Sequence, residues 1–180
     1  MKISKTFIED LLVIEPQFFK DERGFFYESY NKNNLDKIVN VVFVQDNESK
    51  SYKGVVRGLH FQRPPFEQTK LVRCVSGKIL DVAVDLRSHS KTYGKSFSIE
   101  LSSDNNKQLF VPKGFAHGFQ VLSNEAIVNY KVDEYYNPDS DSGIIWNDED
   151  LAIGWNLDLK PNLSLKDLKL ISFKELKSPF

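Results

Sequence analysis

Arg57, His60, Lys70 and Asp81 fall within one stretch, Arg57 to Arg87, that is otherwise built of short apolar segments. In Leu80-Asp81-Val82-Ala83-Val84-Asp85 a carboxylate is embedded in a run that reads as a buried strand. Such a charge is expensive to bury unless it is paired or hydrogen-bonded, so Asp81 reads as the partner of a histidine. A histidine between Arg57 and Lys70 has basic neighbours, which favour its neutral form and suit it to act as a general base. This concentration of charge among apolar residues marks a site.

A metal is the first alternative to weigh. Pro112-x-Gly114-x-x-His117 resembles the second signature of the cupin jelly rolls. Their first signature, His-x-His followed by Glu, falls here on His60, Gln62 and Glu67. An amide oxygen is a poor ligand for the divalent transition ions that imidazoles hold, so the expectation is a site without metal. His60 and His117 then read as acid–base or binding groups. His89, in Arg87-Ser-His-Ser90, reads as a surface loop residue.

The elements that position these residues read as short strands separated by turns. With 180 residues the chain suits one domain, spanning 1–180, with a substantial core. It carries 24 basic and 25 acidic side chains, and this balance gives no nucleic-acid surface. No apolar run is long enough to span a bilayer, and a cytoplasmic location is the expectation. The single Cys74 lies in an apolar segment and reads as a buried structural thiol.

Strands are expected over Phe25–Tyr30, Val41–Val44, Leu71–Val75, Ile79–Leu86, Ser96–Leu101, Gln108–Val111, Gln120–Leu122 and Ile127–Val132. Gln45–Ser49 reads as a polar connection, and Gly77-Lys78 as the turn pairing two strands into a hairpin. Only the tail changes period: Ser164–Ile171 opens on a capping-box pattern and predicts a short C-terminal helix. Many short strands and one terminal helix argue for an antiparallel sandwich or barrel.

Taken together, the motifs resemble the dTDP-4-dehydrorhamnose 3,5-epimerases. The resemblance rests on Arg57-Gly-Leu-His-Phe-Gln62, Pro64-Pro65, Gln68-x-Lys70-Leu-Val, Gly77-x-Ile-x-Asp-Val-Ala-Val-Asp-Leu-Arg87 and Gly114-Phe-Ala-His-Gly-Phe119. Tyr130-Lys131, Tyr135-Tyr136-x-Pro138, Ile145-Trp-Asn-Asp148 and Ser164-x-Lys-Asp167 extend it over nearly the whole chain. It implies an all-β cupin-type jelly roll, a homodimer, no cofactor, and a nucleotide-linked 4-keto-6-deoxy sugar as substrate, within surface polysaccharide biosynthesis.

Carried over by position, His60 is the base and Asp167 the carboxylate that orients it. Lys70 lies near the ketone oxygen, and Tyr130 is the acid on the opposite face. Arg23, Phe26, Glu28, Gln45, Asn47, Arg57 and His117 fall at substrate-binding positions, the N-terminal ones serving the partner subunit's site. Protons at C3 and C5 are both alpha to the C4 ketone, so one base and one cation near the oxygen suffice to form either enolate. The nucleotide base and the number of centres inverted stay open. A sugar-nucleotide ketoisomerase or a non-catalytic sugar-binding cupin is the competing class; the ketoisomerases lack the Arg-Gly-Leu-His-Phe-Gln and Ser-x-Lys-Asp patterns.

Overall fold

A computed structural model describes residues 1–180, and its regular structure is almost entirely strand. One antiparallel sheet contains Lys2–Lys5 (β1), Leu12–Glu15 (β2), Gln45–Tyr52 (β5), Lys70–Ser76 (β7), Gln108–Val111 (β10) and Glu125–Val132 (β12). Its order is β1-β2-β10-β7-β12-β5. The second holds Val56–Gln62 (β6), Lys78–Asp85 (β8), Ser96–Ser102 (β9), Phe115–Val121 (β11) and Asp141–Gly143 (β13), ordered β13-β6-β11-β8-β9. Phe19–Asp21 (β3) and Gly24–Phe26 (β4) make a separate hairpin, and Lys32–Leu35 (α1) is one helical turn. No helix is long and apolar enough to cross a membrane.

The two large sheets stack face to face as a jelly roll. Val72, Cys74, Leu109, Val111 and Val128 from the first meet Ile79, Ala83, Leu101, Phe115 and Phe119 from the second. Period-two alternation sends the other residues outward. Val82 and Val84 of β8 join Leu59, Phe61, Trp146 and Trp155 in a second cluster behind the five-stranded sheet. That sheet is therefore covered on both faces, which is why its strands read as near-continuous apolar runs. A third cluster, with Leu12, Ile14, Leu71 and Phe110, covers the back of the six-stranded sheet beneath Leu35 and Val41.

Four sequence expectations change. The strands either side of Gly77 are not a hairpin: β7 pairs with β10 and β12, whereas β8 pairs with β9 and β11. Both carry apolar inner faces, so they meet across the sandwich, not edge to edge. Gly77 makes the crossing with φ +79°, and a Cβ there would lie 2.1 Å from the Glu125 carbonyl oxygen.

The roles of 41–44 and 45–52 are reversed. Val41–Val44 forms no ladder, and Val41 is buried with the third cluster. The polar Gln45–Tyr52 is the strand because β12 supplies its ladder, with Asn47 opposite Tyr130. Its inward positions, Gln45, Asn47, Ser49 and Ser51, are polar and half-buried or buried.

The C-terminal helix is reduced to one 3-10 turn, Asp167–Lys169. Ser164 caps as expected, its Oγ accepting from the Asp167 amide at 3.1 Å. Further along, the tail's backbone bonds another segment of the same chain: Ile145 N donates to Ile171 O at 2.9 Å. Upstream, Val56 N donates to Asn162 O at 3.0 Å. Lastly, only Gly24–Phe26 of the aromatic run after Arg23 is strand, and β11 begins at Phe115, before the expected Gln120.

Candidate active site

Ladder register assigns each polar side chain a face, because directly opposed residues point the same way. Tyr130 stands opposite Asn47 on one side and Val72 on the other. His60 stands opposite His117, which stands opposite Ala83. Val72 and Ala83 belong to the inner core, so Tyr130, Asn47, His60 and His117 all face the interior. Lys70 and Asp81 lie two residues from Val72 and Ala83 and share that face. One end of the jelly roll is thus filled by apolar side chains, and the other by titratable ones.

His60 Nε2 lies 2.6 Å from Asp167 Oδ1. An ionised carboxylate only accepts, so Nε2–H donates and Nδ1 keeps the free lone pair. Asp167 is almost fully covered, with 4% of its side chain exposed against 30% for His60, leaving the imidazole as the reachable member. Burial alone would raise the Asp167 pKa. The hydrogen bond and charge of His60, with help from Ser164, outweigh burial and hold the carboxyl below its ordinary value.

A cleft of about 180 Å³ opens on His60, Gln62, Gln68, Lys70, Tyr130 and Asp141. Lys70 is 9% exposed, and burial pushes its ammonium down to about 8 against the opposing pull of Asp81 and Asp141. Burial raises the Tyr130 pKa, as does Asp141, while Arg57 lowers it; the net shift is upward, so its phenol keeps its proton at neutral pH. The cleft therefore sets an oriented imidazole, a desolvated cation and a protonated phenol around one space. A base, an oxyanion stabiliser and an acid are the equipment for enolisation and reprotonation.

The sequence model of the dTDP-4-dehydrorhamnose 3,5-epimerase family matches residues 5–175. The Escherichia coli K12 dTDP-4-dehydrorhamnose 3,5-epimerase is 52% identical over 178 residues, covering 98% of this chain and 96% of that protein. This chain belongs to the dTDP-4-dehydrorhamnose 3,5-epimerase family. The crystal structure of the Elizabethkingia anophelis epimerase superposes with a TM-score of 0.93 at 48% identity, covering 99% of this chain and 98% of that one. A Legionella pneumophila dTDP-6-deoxy-D-glucose-3,5-epimerase, solved in complex with dTDP-4-keto-L-rhamnose, gives 0.94 at 44% identity, covering 97% and 94%.

Within this epimerase fold the expected residues fall into two groups. His60, Lys70, Tyr130, Asp167 and His117 converge on the interior. So do Gln45 and Asn47, with Gln45 Nε2 donating to Asn47 Oδ1 at 2.7 Å. Arg57 lies near the opening, its Nε donating to Ser51 Oγ at 2.9 Å. Arg23, Phe26 and Glu28 do not join them in this chain. Arg23 and Phe26 line a surface cleft at the β3–β4 hairpin, with Arg23 ion-paired to Asp21 at 2.5 Å and Phe26 66% exposed. Glu28 faces another cleft beside Tyr30 and Asn31.

Gln62, at the middle position of the cupin metal signature, is fully engaged otherwise. Its amide donates to Phe66 O and Tyr135 O, and its oxygen accepts from Asn137 N at 2.7 Å. It fixes the loop that walls the cleft. No three His, Cys, Asp or Glu side chains gather in a metal-binding arrangement. Asp81 is paired with a histidine as expected, its Oδ1 lying 2.9 Å from His117 Nε2.

Sequence reading missed Asp141 and Lys166 as members of the site. Asp141 accepts from Tyr136 OH at 2.9 Å and from the Lys166 ammonium. Asp141 opens the three-residue β13 within a polar stretch of sequence that has no periodicity to flag it. Lys166 was visible within Ser164-x-Lys-Asp167, beside an aspartate already singled out.

Proposed function

We propose that this chain inverts C3 and C5 of dTDP-4-dehydro-6-deoxyglucose, giving dTDP-4-dehydrorhamnose. The observation that carries this reading is the His60–Asp167 pair at 2.6 Å in the same interior space as Lys70 and Tyr130. His60 Nδ1 removes the proton alpha to the ketone, and the C–H electron pair moves through the enolate onto the C4 oxygen. Lys70 offsets the charge that develops there, inside a site dry enough for a single cation to matter. Asp167 holds the ring and its tautomer and balances the imidazolium without taking the proton itself. Tyr130 returns a proton to the opposite face of the carbon, which inverts it. Between the two inversions His60 gives its proton to solvent and the Tyr130 phenolate takes one up, so the same groups treat both centres in turn with no net gain or loss of protons.

Arginine forks and aromatic faces suit the nucleoside diphosphate. Arg57 is available within the chain. Arg23 and Phe26 stand on an exposed hairpin, together with Phe19 and Phe25. A homodimer in which this hairpin closes the partner's cleft accounts for their separation from His60.

The test is proton NMR of the product formed in deuterium oxide, run in parallel with dTDP- and GDP-linked 4-keto-6-deoxy hexoses. The reading predicts deuterium and inverted configuration at both C3 and C5 with the dTDP sugar. Label at C3 alone would make the enzyme a mono-epimerase. Binding with no label at either carbon would make it a sugar-binding protein.

A further inference from the structure

The interior holds a buried, half-paired charge that the reaction above does not use. Asp81 is 0% exposed, and while its Oδ1 meets His117 Nε2 at 2.9 Å, its Oδ2 is buried with no hydrogen-bond partner. A half-satisfied buried carboxylate is costly, and something must offset its charge. Lys70 is the complementary case. It is buried on the facing sheet, with no carboxylate oxygen within 4.0 Å of its ammonium.

The other ionisable groups facing Lys70 are already committed. His60 of β6 is bonded to Asp167, and His117 of β11 to Asp81 itself. Asp141 of β13 is shared between Tyr136 and Lys166 of the tail. Tyr130 of β12 is neutral. Of the two carboxylates that draw the lysine's pKa upward against burial, Asp81 acts more strongly than Asp141.

We propose that Asp81 is the through-space counter-ion that keeps Lys70 charged, a positioning residue that acts on the reaction only through the lysine. This rests on the reading of Lys70 as the cation beside the enolate oxygen. A carboxylate and an ammonium that face each other across a protein interior interact strongly enough to move a titration by about one unit or more. Asp81 supplies its charge from the facing sheet and is not among the residues that line the cleft. The cation is thereby held in the site without a direct salt bridge that would mask it from substrate.

The experiment measures solvent-deuterium exchange into dTDP-4-dehydro-6-deoxyglucose as a function of pH for the wild type and for Asp81→Asn. The amide keeps the shape and a hydrogen bond to His117 and removes only the charge. The alkaline limb of kcat/KM should move down by about one pH unit, so that exchange falls about twofold at pH 7 and about tenfold at pH 9. An alkaline limb at the wild-type position overturns the proposal, even if the rate is lower throughout, because a purely structural role scales the curve without shifting it.

A wild type that exchanges nothing refutes the epimerase reading instead, so the two failures are distinct. Should Asp81→Asn not fold, carbon NMR of the wild type decides the matter. The Asp81 carboxyl carbon must show an inflection at the pH where the Lys70 ε-carbon, assigned by its loss in Lys70→Met, titrates. A flat Asp81 signal through that pH contradicts the proposal.

Discussion

At the scale of single residues, the site separates its acid and base by environment. Asp167 is covered and ionised, His60 reachable, Tyr130 desolvated and protonated. Lys70 makes the sharpest prediction. In the proposed reaction the charged ammonium is the form that stabilises the enolate, and burial has brought its pKa from 10.5 to about 8. As pH rises through that value the cation is lost, so exchange should decline above about pH 8, where an ordinary surface lysine would still be charged. Lys70→Met should lower exchange by about a hundredfold or more and remove this alkaline limb, as read by deuterium incorporation across the pH range.

In the proposed reaction Tyr130 acts after the proton is removed. Tyr130→Phe should keep incorporating deuterium, because loss of the proton needs only His60 and the enolate's stabilisation. It should accumulate far less product inverted at C5, since reprotonation on the original face returns the starting configuration. NMR of the product, comparing label with configuration, checks this. Inversion of both centres at the wild-type rate would send the search for the acid to Tyr136, whose hydroxyl is held by Asp141.

Elements fix these residues through register. β7, β12 and β5 run side by side, so Lys70, Tyr130 and Asn47 share a face without any loop having to place them. The crossing between sheets at Gly77 is the tightest point of this frame. Gly77→Ala combines a positive φ with a Cβ 2.1 Å from a backbone carbonyl, where no side chain can yield. It should destabilise the fold by at least about 2 kcal/mol, read from the urea midpoint, whereas Gly24→Ala meets no atom and should cost less.

The same elements show what is legible in a sequence. Strands with an apolar inner face, such as Gln108–Val111, could be read directly. The strand 45–52 could not, because its inward residues are polar and carry no hydrophobic signal. Which sheet β7 and β8 each belong to was also hidden, since a turn residue looks the same whether the chain folds back or crosses over. The capping box at Ser164 was legible as a cap. Its failure to start a helix was not, because the bonds that extend the tail come from Ile145 and other distant residues. Within the candidate site, His60 stood out by its charged neighbours, whereas Lys70, Asp167 and Tyr130 rose above ordinary strand-end, cap and strand roles only through the family resemblance.

For the whole molecule, the question is whether Arg23 and Phe26 reach substrate in a partner's cleft. If the hairpin serves the partner's cleft, His60→Asn and Arg23→Glu disable different chains' contributions to one site. Mixing the two inactive proteins, with subunit exchange, should restore activity to about a quarter of the sites, because half the dimers are mixed and one of their two sites is intact. Sedimentation would confirm the dimers. No recovery from a verified mixed dimer would place the hairpin's contribution within its own chain.

The central claim is that His60, oriented by Asp167, removes the alpha protons. It is tested most directly with His60→Asn, which preserves size and polarity, so that a change in chemistry can be separated from a change in fold. The measurement is the rate of deuterium entry at C3 and C5 of dTDP-4-dehydro-6-deoxyglucose by NMR, on protein whose thermal unfolding has been recorded. The account predicts a melting temperature within a few degrees of wild type and loss of exchange at both carbons by about a thousandfold or more. Exchange retained at either carbon in a folded His60→Asn protein would contradict it.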